Sequence, residues 1–343
     1  MRTREGVAEL ALYVGGAACA VDLSDNTNLW GAPPGTARIL TEATQLASRY
    51  PTSGAAELAR VIAHYAGVTP EMVVVGCGSD DVIDSAFRAF GVPGARVAYI
   101  EPTFSMVPVF ACTNGLVPVG VTGGDDLDRV LRSLRDARAD IVYLCSPNNP
   151  TGSALSREFI ERVLHELDAL VILDEAYGEF TDAPGLELAR ASDRLLVTRT
   201  FSKAFGLAGM RVGYGIACAP VAGAVARARG PYKVGGVAEE VALGAMRDDL
   251  QWMRHHALLA VAERRWLERQ LAGRGLAAMT SEANFLLVPS TRAPELAAAL
   301  RTRGIGVRAF SALPGIGDAL RITAGPRPMM EALTVALDEV LSA

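Results

Sequence analysis

Seven short apolar runs of β type punctuate the sequence, at residues 73–77, 96–100, 117–121, 141–146, 170–174, 195–201 and 211–218. Several are separated by stretches of helical period, such as 80–90 and 126–137. Short apolar strands alternating with helices read as a mainly parallel sheet wrapped by helices, because a parallel pair needs a long crossover. Only residues 202–210 join the last two runs, which is too little chain for such a crossover, so the seventh strand is expected to run antiparallel. Arg211 then opens that strand and returns to the same sheet edge as Lys203.

From about Ala238 the pattern changes to one long helical stretch reaching Gly273, followed by NFLLV, a helix at 293–303, a strand near 305–308, LRIT and a closing helix. This reads as a smaller α+β domain. The polar, Pro- and Gly-rich residues 25–35 resemble an arm. The expected organisation is an N-terminal arm (1–35) contributing to the small domain, a large α/β domain (36–237) and a small C-terminal domain (238–343).

Composition removes several classes of function. Thirty-three basic and 38 acidic side chains leave a net charge of −5, so there is no overall basic field for nucleic acid. No apolar run reaches the roughly 18 residues of a membrane span. Arg2 and Arg4 precede an apolar stretch ending in Ala18-Cys19-Ala20, but Glu5 and Glu9 interrupt it, which argues against a signal peptide and for a cytoplasmic protein. The five cysteines lack CxxC spacing and the four histidines lack an HExxH pair, so neither a disulfide framework nor a metal site is expected.

In open α/β sheets ligands bind beyond the carboxyl ends of the strands, so the residues just past each run carry the chemistry. Gly78-Ser79-Asp80 opens a helix after the first run, where free N–H groups and the helix dipole suit an anion or, more plainly, a cap. Asn149 sits in a Pro-rich turn after the fourth run. Asp174 ends the fifth, with Tyr177 three residues on, and Ser202-Lys203 follow the sixth. Individually each has a bland reading as a cap, turn or surface charge. Together they supply an amine, an acid, polar donors and an anion cup, the set that pyridoxal phosphate chemistry requires.

SPNNPTG, ILDEAY and TFSKAFGLAGMRVGY, at these spacings, resemble the fold-type I pyridoxal phosphate-dependent aminotransferases, and most closely the histidinol-phosphate aminotransferases. RYP (49–51), GSDDVID (78–84), EPTFSM (101–106), PYKV (231–234), ANFLL (283–287) and LRIT (320–323) extend the likeness over most of the chain. The resemblance implies a seven-stranded, mainly parallel sheet with one antiparallel strand, plus the smaller α+β domain. It makes Lys203 the Schiff-base lysine and proton shuttle, and Asp174 the partner of the cofactor's ring nitrogen. Tyr177 and Asn149 would bond the phenolic oxygen, and Phe104 would stack on the ring. Ser79, Asp80, Ser202 and Arg211 would hold the phosphate, with Tyr50 reaching it across a homodimer interface. Arg321 and Arg308 would clamp the substrate's anionic groups, and Asn28, Trp30 and Tyr232 would line its pocket.

This chain departs from that family where a carboxylate and a proline of the arm are replaced by Thr27 and Leu29, and where Val107 and Gly235 stand for a usual Tyr and Asn. The departures are expected near the substrate pocket, which leaves an aromatic or other specialised amino acid as an alternative to histidinol phosphate with 2-oxoglutarate. A threonine-phosphate decarboxylase-like lyase is a second alternative. An aminotransferase-like regulator would need a DNA-binding module and would not need an intact lysine at 203.

Overall fold

The computed structural model describes residues 6–8, 10, 19–51 and 53–342. The signal-peptide question posed by Arg2, Arg4, Glu5, Glu9 and Ala18 lies outside them. Among the described residues no helix is long and apolar enough to cross a membrane.

Twelve strands are described: β1 (Val21–Asp22), β2 (Val73–Gly76), β3 (Arg96–Glu101), β4 (Val117–Thr122), β5 (Ile141–Cys145), β6 (Leu170–Asp174), β7 (Leu195–Thr200), β8 (Gly213–Ile216), β9 (Phe285–Pro289), β10 (Ile305–Gly306), β11 (Arg308–Leu313) and β12 (Gly317–Thr323). The seven apolar runs form one sheet in the order β2-β8-β7-β6-β5-β3-β4. All neighbours are parallel except β8, which is antiparallel to both β2 and β7. Strands β5, β6 and β7 are buried at every position. Their alternate residues feed two separate apolar clusters, Val142, Leu144, Val171 and Leu173 on one side and Ile141, Tyr143, Leu170 and Ile172 on the other. That two-sided burial explains why β5 and β6 read as nearly continuous apolar runs.

Three sequence expectations need correction. Arg211 does not open the seventh strand: it sits two residues before β8 in left-handed backbone (φ 52°), where the chain turns past the start of the helix Gly78–Phe90. The long helix is two, Gly236–Arg247 and Leu250–Ala272, broken at Asp248-Asp249, where Asp249 leaves its own helix uncapped and accepts from Gly35 N–H at 3.1 Å. The strand near 305–308 divides as well. β10 pairs in parallel with β1, while β11 pairs with β12 in the three-stranded sheet β11-β12-β9. A third apolar cluster, including Leu23, Leu267, Leu286, Leu320 and Leu337, packs against that sheet and draws in the chain just before residues 25–35.

Candidate active site

The carboxyl tips of β2, β5, β6 and β7 open onto one cavity of about 560 Å³, whose lining includes Ser79, Asp80, Phe104, Asn149, Asp174, Tyr177, Ser202, Lys203 and Arg211. The topology brings them together because each sits at the carboxyl end of a strand of the same sheet or in the segment that leaves it, Arg211 lying in the link from β7 to β8. A second cavity of about 230 Å³ shares Phe104, Asn149, Tyr177 and Lys203 with it and adds Arg308 and Arg321.

At one end lies an anion cup. The helix Gly78–Phe90 points its free N–H groups and dipole toward it. The Arg211 guanidinium donates to Ser202 Oγ (3.2 Å) and Asp80 Oδ2 (3.4 Å), and Thr200 Oγ1 donates to Ser202 Oγ at 3.0 Å. Two glycines permit this crowding. A Cβ on Gly78, which has φ +78°, would lie 2.7 Å from Arg211 Nη2, and one on Gly213 would lie 2.3 Å from the Ser79 backbone nitrogen.

At the floor, Asp174 accepts from Tyr143 Oη (2.7 Å), Thr198 Oγ1 (3.0 Å) and the Ala176 N–H (3.2 Å). Burial outweighs these three donors and lifts its carboxyl to about 6. Such a group is suited to pair with a cationic ring nitrogen. Lys203 Nζ donates to the Asp25 carbonyl at 2.8 Å and lies 5.8 Å from the centre of the Tyr177 ring. Burial, then the Arg321 charge, bring its amine down to about 8, so an appreciable fraction is neutral near physiological pH. Burial pushes the Tyr177 hydroxyl up to about 12, and that hydroxyl accepts from Asn26 Nδ2 at 3.0 Å.

Arg321, paired across the ladder with Arg308, donates to Asn149 Oδ1 (2.5 Å) and Ser24 O (2.6 Å). Its guanidinium carbon lies 5.5 Å from the centres of both the Phe285 and Phe310 rings, within cation–π range of each. An anion cup, a buried carboxylate and an amine of lowered basicity in one cavity fit the phosphate, ring nitrogen and aldehyde of pyridoxal 5′-phosphate.

Several expected residues stand elsewhere. Tyr50, expected to act on a partner's site, is 83% exposed and stacks on Tyr232 at 4.9 Å, and neither lines either of these two cavities. Asn28 is engaged with the Ala204 carbonyl (2.9 Å) and the Trp30 N–H (3.0 Å), while the Trp30 ring meets His256 edge-on. Of the departures, Leu29 packs on Gly325, Val107 is fully buried, and Gly235 caps the helix Gly236–Arg247. None lines either cavity. Conversely, Asn26, Tyr143 and Thr198 contact the site and went unrecognised. The switch of β7 from LLV to TRT, which sets Thr198 opposite Asp174, was the signal available for Thr198.

Residues 20–339 match the family model "Aminotransferase class I and II". Among curated proteins, the histidinol-phosphate aminotransferase of Thermoanaerobacter sp. (strain X514) is 35% identical over 297 residues, covering 85% of this chain and 84% of that protein. That of Jannaschia sp. (strain CCS1) is 35% identical over 341 residues, covering 95% and 94%. Among solved structures, histidinol-phosphate aminotransferase from Sinorhizobium meliloti in complex with pyridoxal-5′-phosphate superposes with a TM-score of 0.90 at 26% identity, covering 99% of this chain and 98% of that one. L-threonine-O-3-phosphate decarboxylase from Porphyromonas gingivalis shares the fold, with a TM-score of 0.82 at 22% identity, covering 94% and 100%.

Proposed function

Because this chain belongs to the class I and II aminotransferases, and so is a pyridoxal phosphate-dependent enzyme, we propose that its substrates are histidinol phosphate and 2-oxoglutarate. The observation that carries the reading is that Lys203 lines both cavities, the one that holds Asp174 and the one that holds the Arg308–Arg321 ladder pair.

Bound pyridoxal 5′-phosphate supplies an aldehyde that takes up the substrate's nitrogen and an electron-poor ring that accepts the electrons released at its Cα. The protein's own groups do the rest. Arg211, Ser79, Ser202 and the N–H groups at the start of the helix Gly78–Phe90 hold the phosphate, with Asp80 orienting the guanidinium. Asp174 would keep the ring nitrogen protonated by holding a negative charge beside it. Tyr177 and Asn149 would orient the phenolic oxygen, and Phe104 would cover the ring. Lys203, with its basicity lowered to about 8, would take the proton from the substrate Cα as a neutral amine and then give it back without a large energetic mismatch. Arg321, flanked by two aromatic rings, and Arg308 receive the phosphate of one substrate and a carboxylate of the other.

We further assign residues 36–237 to the cofactor-binding domain, 238–343 to the smaller one and 1–35 to an arm. The enzyme works in the cytoplasm as a homodimer, in which the exposed Tyr50 reaches the partner's phosphate cup.

Stopped half-reactions test the assignment. Holoenzyme mixed separately with glutamate and with histidinol phosphate should lose the absorbance of the lysine-bound coenzyme with both. Borohydride should fix the coenzyme to Lys203. Response to glutamate alone would overturn histidinol phosphate as the substrate, and coenzyme fixed at another lysine would overturn the site.

A further inference from the structure

Asn26 stands between the three-stranded sheet β11-β12-β9 and the cavity, and the preceding account gives it no task. It is 1% exposed and adopts left-handed backbone (φ 56°), which a short polar side chain tolerates. Its backbone is held on both sides: the Asn26 N–H donates to Thr323 Oγ1 at 3.0 Å, and Asn26 O accepts from Asn284 Nδ2 at 3.1 Å. Having accepted from that N–H, Thr323 Oγ1 donates its own hydrogen to Asn26 Oδ1 at 3.1 Å. The carboxamide is thereby fixed with its oxygen on Thr323 and its nitrogen on Tyr177, whose Oη accepts from Asn26 Nδ2 at 3.0 Å. Phe285, which faces Thr323 across the β12–β9 ladder, meets the Tyr177 ring edge-on at 5.1 Å. One rung of that ladder therefore sets both the ring of Tyr177 and, through Asn26, its hydroxyl.

We infer that Asn26 is a positioning residue: by donating to the Tyr177 oxygen it turns the single hydrogen of that hydroxyl into the cavity, toward the phenolic oxygen of bound pyridoxal 5′-phosphate. The inference rests on the role proposed above for Tyr177 and adds the group that gives its hydroxyl a direction. A phenol has one hydrogen, and an oxygen already accepting from an amide is left to donate elsewhere. Tyr177 lines both cavities, and among the described residues its hydroxyl makes no hydrogen bond besides the one from Asn26. The amide also polarises the O–H bond, which strengthens the onward donation. Negative charge on the coenzyme's phenolic oxygen grows when the lysine-bound coenzyme loses its proton, so a donor placed there lowers the pH at which the proton leaves. Asn26 thus acts on the coenzyme through Tyr177.

A pH titration of the holoenzyme's visible absorption bands, with no substrate present, reads that loss directly. Tyr177→Phe should raise the midpoint by about one to two pH units, the size of a lost hydrogen bond to a charged group. Asn26→Gly, which keeps left-handed backbone accessible, should raise it by about half a pH unit, since the hydroxyl remains but loses its direction and polarisation. In the Tyr177→Phe background Asn26→Gly should leave the midpoint unmoved. A merely structural role would not give that result, because loosened packing acts whether or not the hydroxyl is present. Should Asn26→Gly not fold, Asn26→Asp keeps the Thr323 contact and draws the Tyr177 hydrogen to its second oxygen. The midpoint should then rise further with Tyr177 present than in Tyr177→Phe, where only the new charge acts. Equal shifts in the two backgrounds, or none with Tyr177 present, overturn the inference. An unmoved midpoint in Tyr177→Phe overturns the role of Tyr177 and this inference with it, whereas a raised one beside an unmoved Asn26→Gly overturns the inference alone.

Discussion

Asp174→Asn should make the cofactor-free protein more stable and the holoenzyme weaker. Burial raises the Asp174 carboxyl from 3.8 to about 6, even with Tyr143, Thr198 and the Ala176 N–H donating to it. Because the folded value lies above the unfolded one, folding favours the protonated form. The associated stability is fully present below pH 3.8 and is lost as pH rises to about 6. At about 1.4 kcal/mol per pH unit, the ionised carboxylate costs the cofactor-free fold about 3 kcal/mol at pH 8. An asparagine removes that cost but has one acceptor oxygen for three donors, which returns about 1 kcal/mol. The net gain of about 2 kcal/mol corresponds to a Tm rise of about 3 °C for a chain of this size. Coenzyme affinity should fall about a hundredfold, because a neutral amide cannot offset the charge of a protonated ring nitrogen in a buried site. Urea unfolding of the cofactor-free proteins from pH 4 to 8, with fluorescence titration of pyridoxal 5′-phosphate, measures both effects. A variant no more stable than wild type at pH 8, or one that binds the coenzyme equally well, would refute the reasoning.

Gly213→Ala should disrupt the phosphate cup, since the new Cβ would lie 2.3 Å from the Ser79 backbone nitrogen and the helix start must move. Coenzyme affinity should drop at least tenfold with about 1–3 kcal/mol of stability, whereas Gly209→Ala, whose Cβ meets nothing within 4 Å, serves as the silent control in the same titration. Arg199→Met should cost about 3–5 kcal/mol at neutral pH, because it strands Glu175 and Glu179 as buried carboxylates. Burial already raises Glu179 and removing Arg199 raises it further, so the deficit should shrink as pH falls toward 4 in urea melts.

The sheet was legible because buried parallel strands write themselves as apolar runs, and because the short link before Gly213 excluded a crossover. The residues at the strand tips were legible jointly: a single polar side chain closing an apolar run, as Asp174 closes LVILD, reads as a cap, but an amine, an acid and polar donors after successive strands have no common structural cause. The surroundings of those residues were harder to read. Asn26 is held by Thr323 and Asn284 and meets Tyr177, contacts made across most of the chain that no local period encodes. The arm pattern pointed to Asn28 as a pocket residue, but its amide is consumed by the Ala204 carbonyl. The break at Asp248-Asp249 was masked because both flanking helices present apolar residues at helical spacing, while the interruption depends on a tertiary contact with Gly35.

Two adjacent carboxylates at the end of β6 show how the fold separates support from chemistry. Asp174 and Thr198 face each other across the β6–β7 ladder on the cavity side, where the hydroxyl donates to the acid. The next residue on each strand points the opposite way, as strand geometry requires. There Arg199 binds Glu175 through Nε (3.0 Å) and Nη2 (2.7 Å), and Glu175 also accepts from the Gly185 N–H at 2.7 Å. A buried ion pair adds little net stability over apolar packing, because desolvation offsets its attraction. Its effect is directional: two N–H groups of one guanidinium converge on Glu175 Oε2, while Oε1 accepts from Gly185, which ties the two strand tips together. That tie sets the distance between Asp174 and Thr198 on the other face. The reverse side of the sheet thus braces Asp174 without neutralising it, leaving its charge for the role proposed for it beside the ring nitrogen.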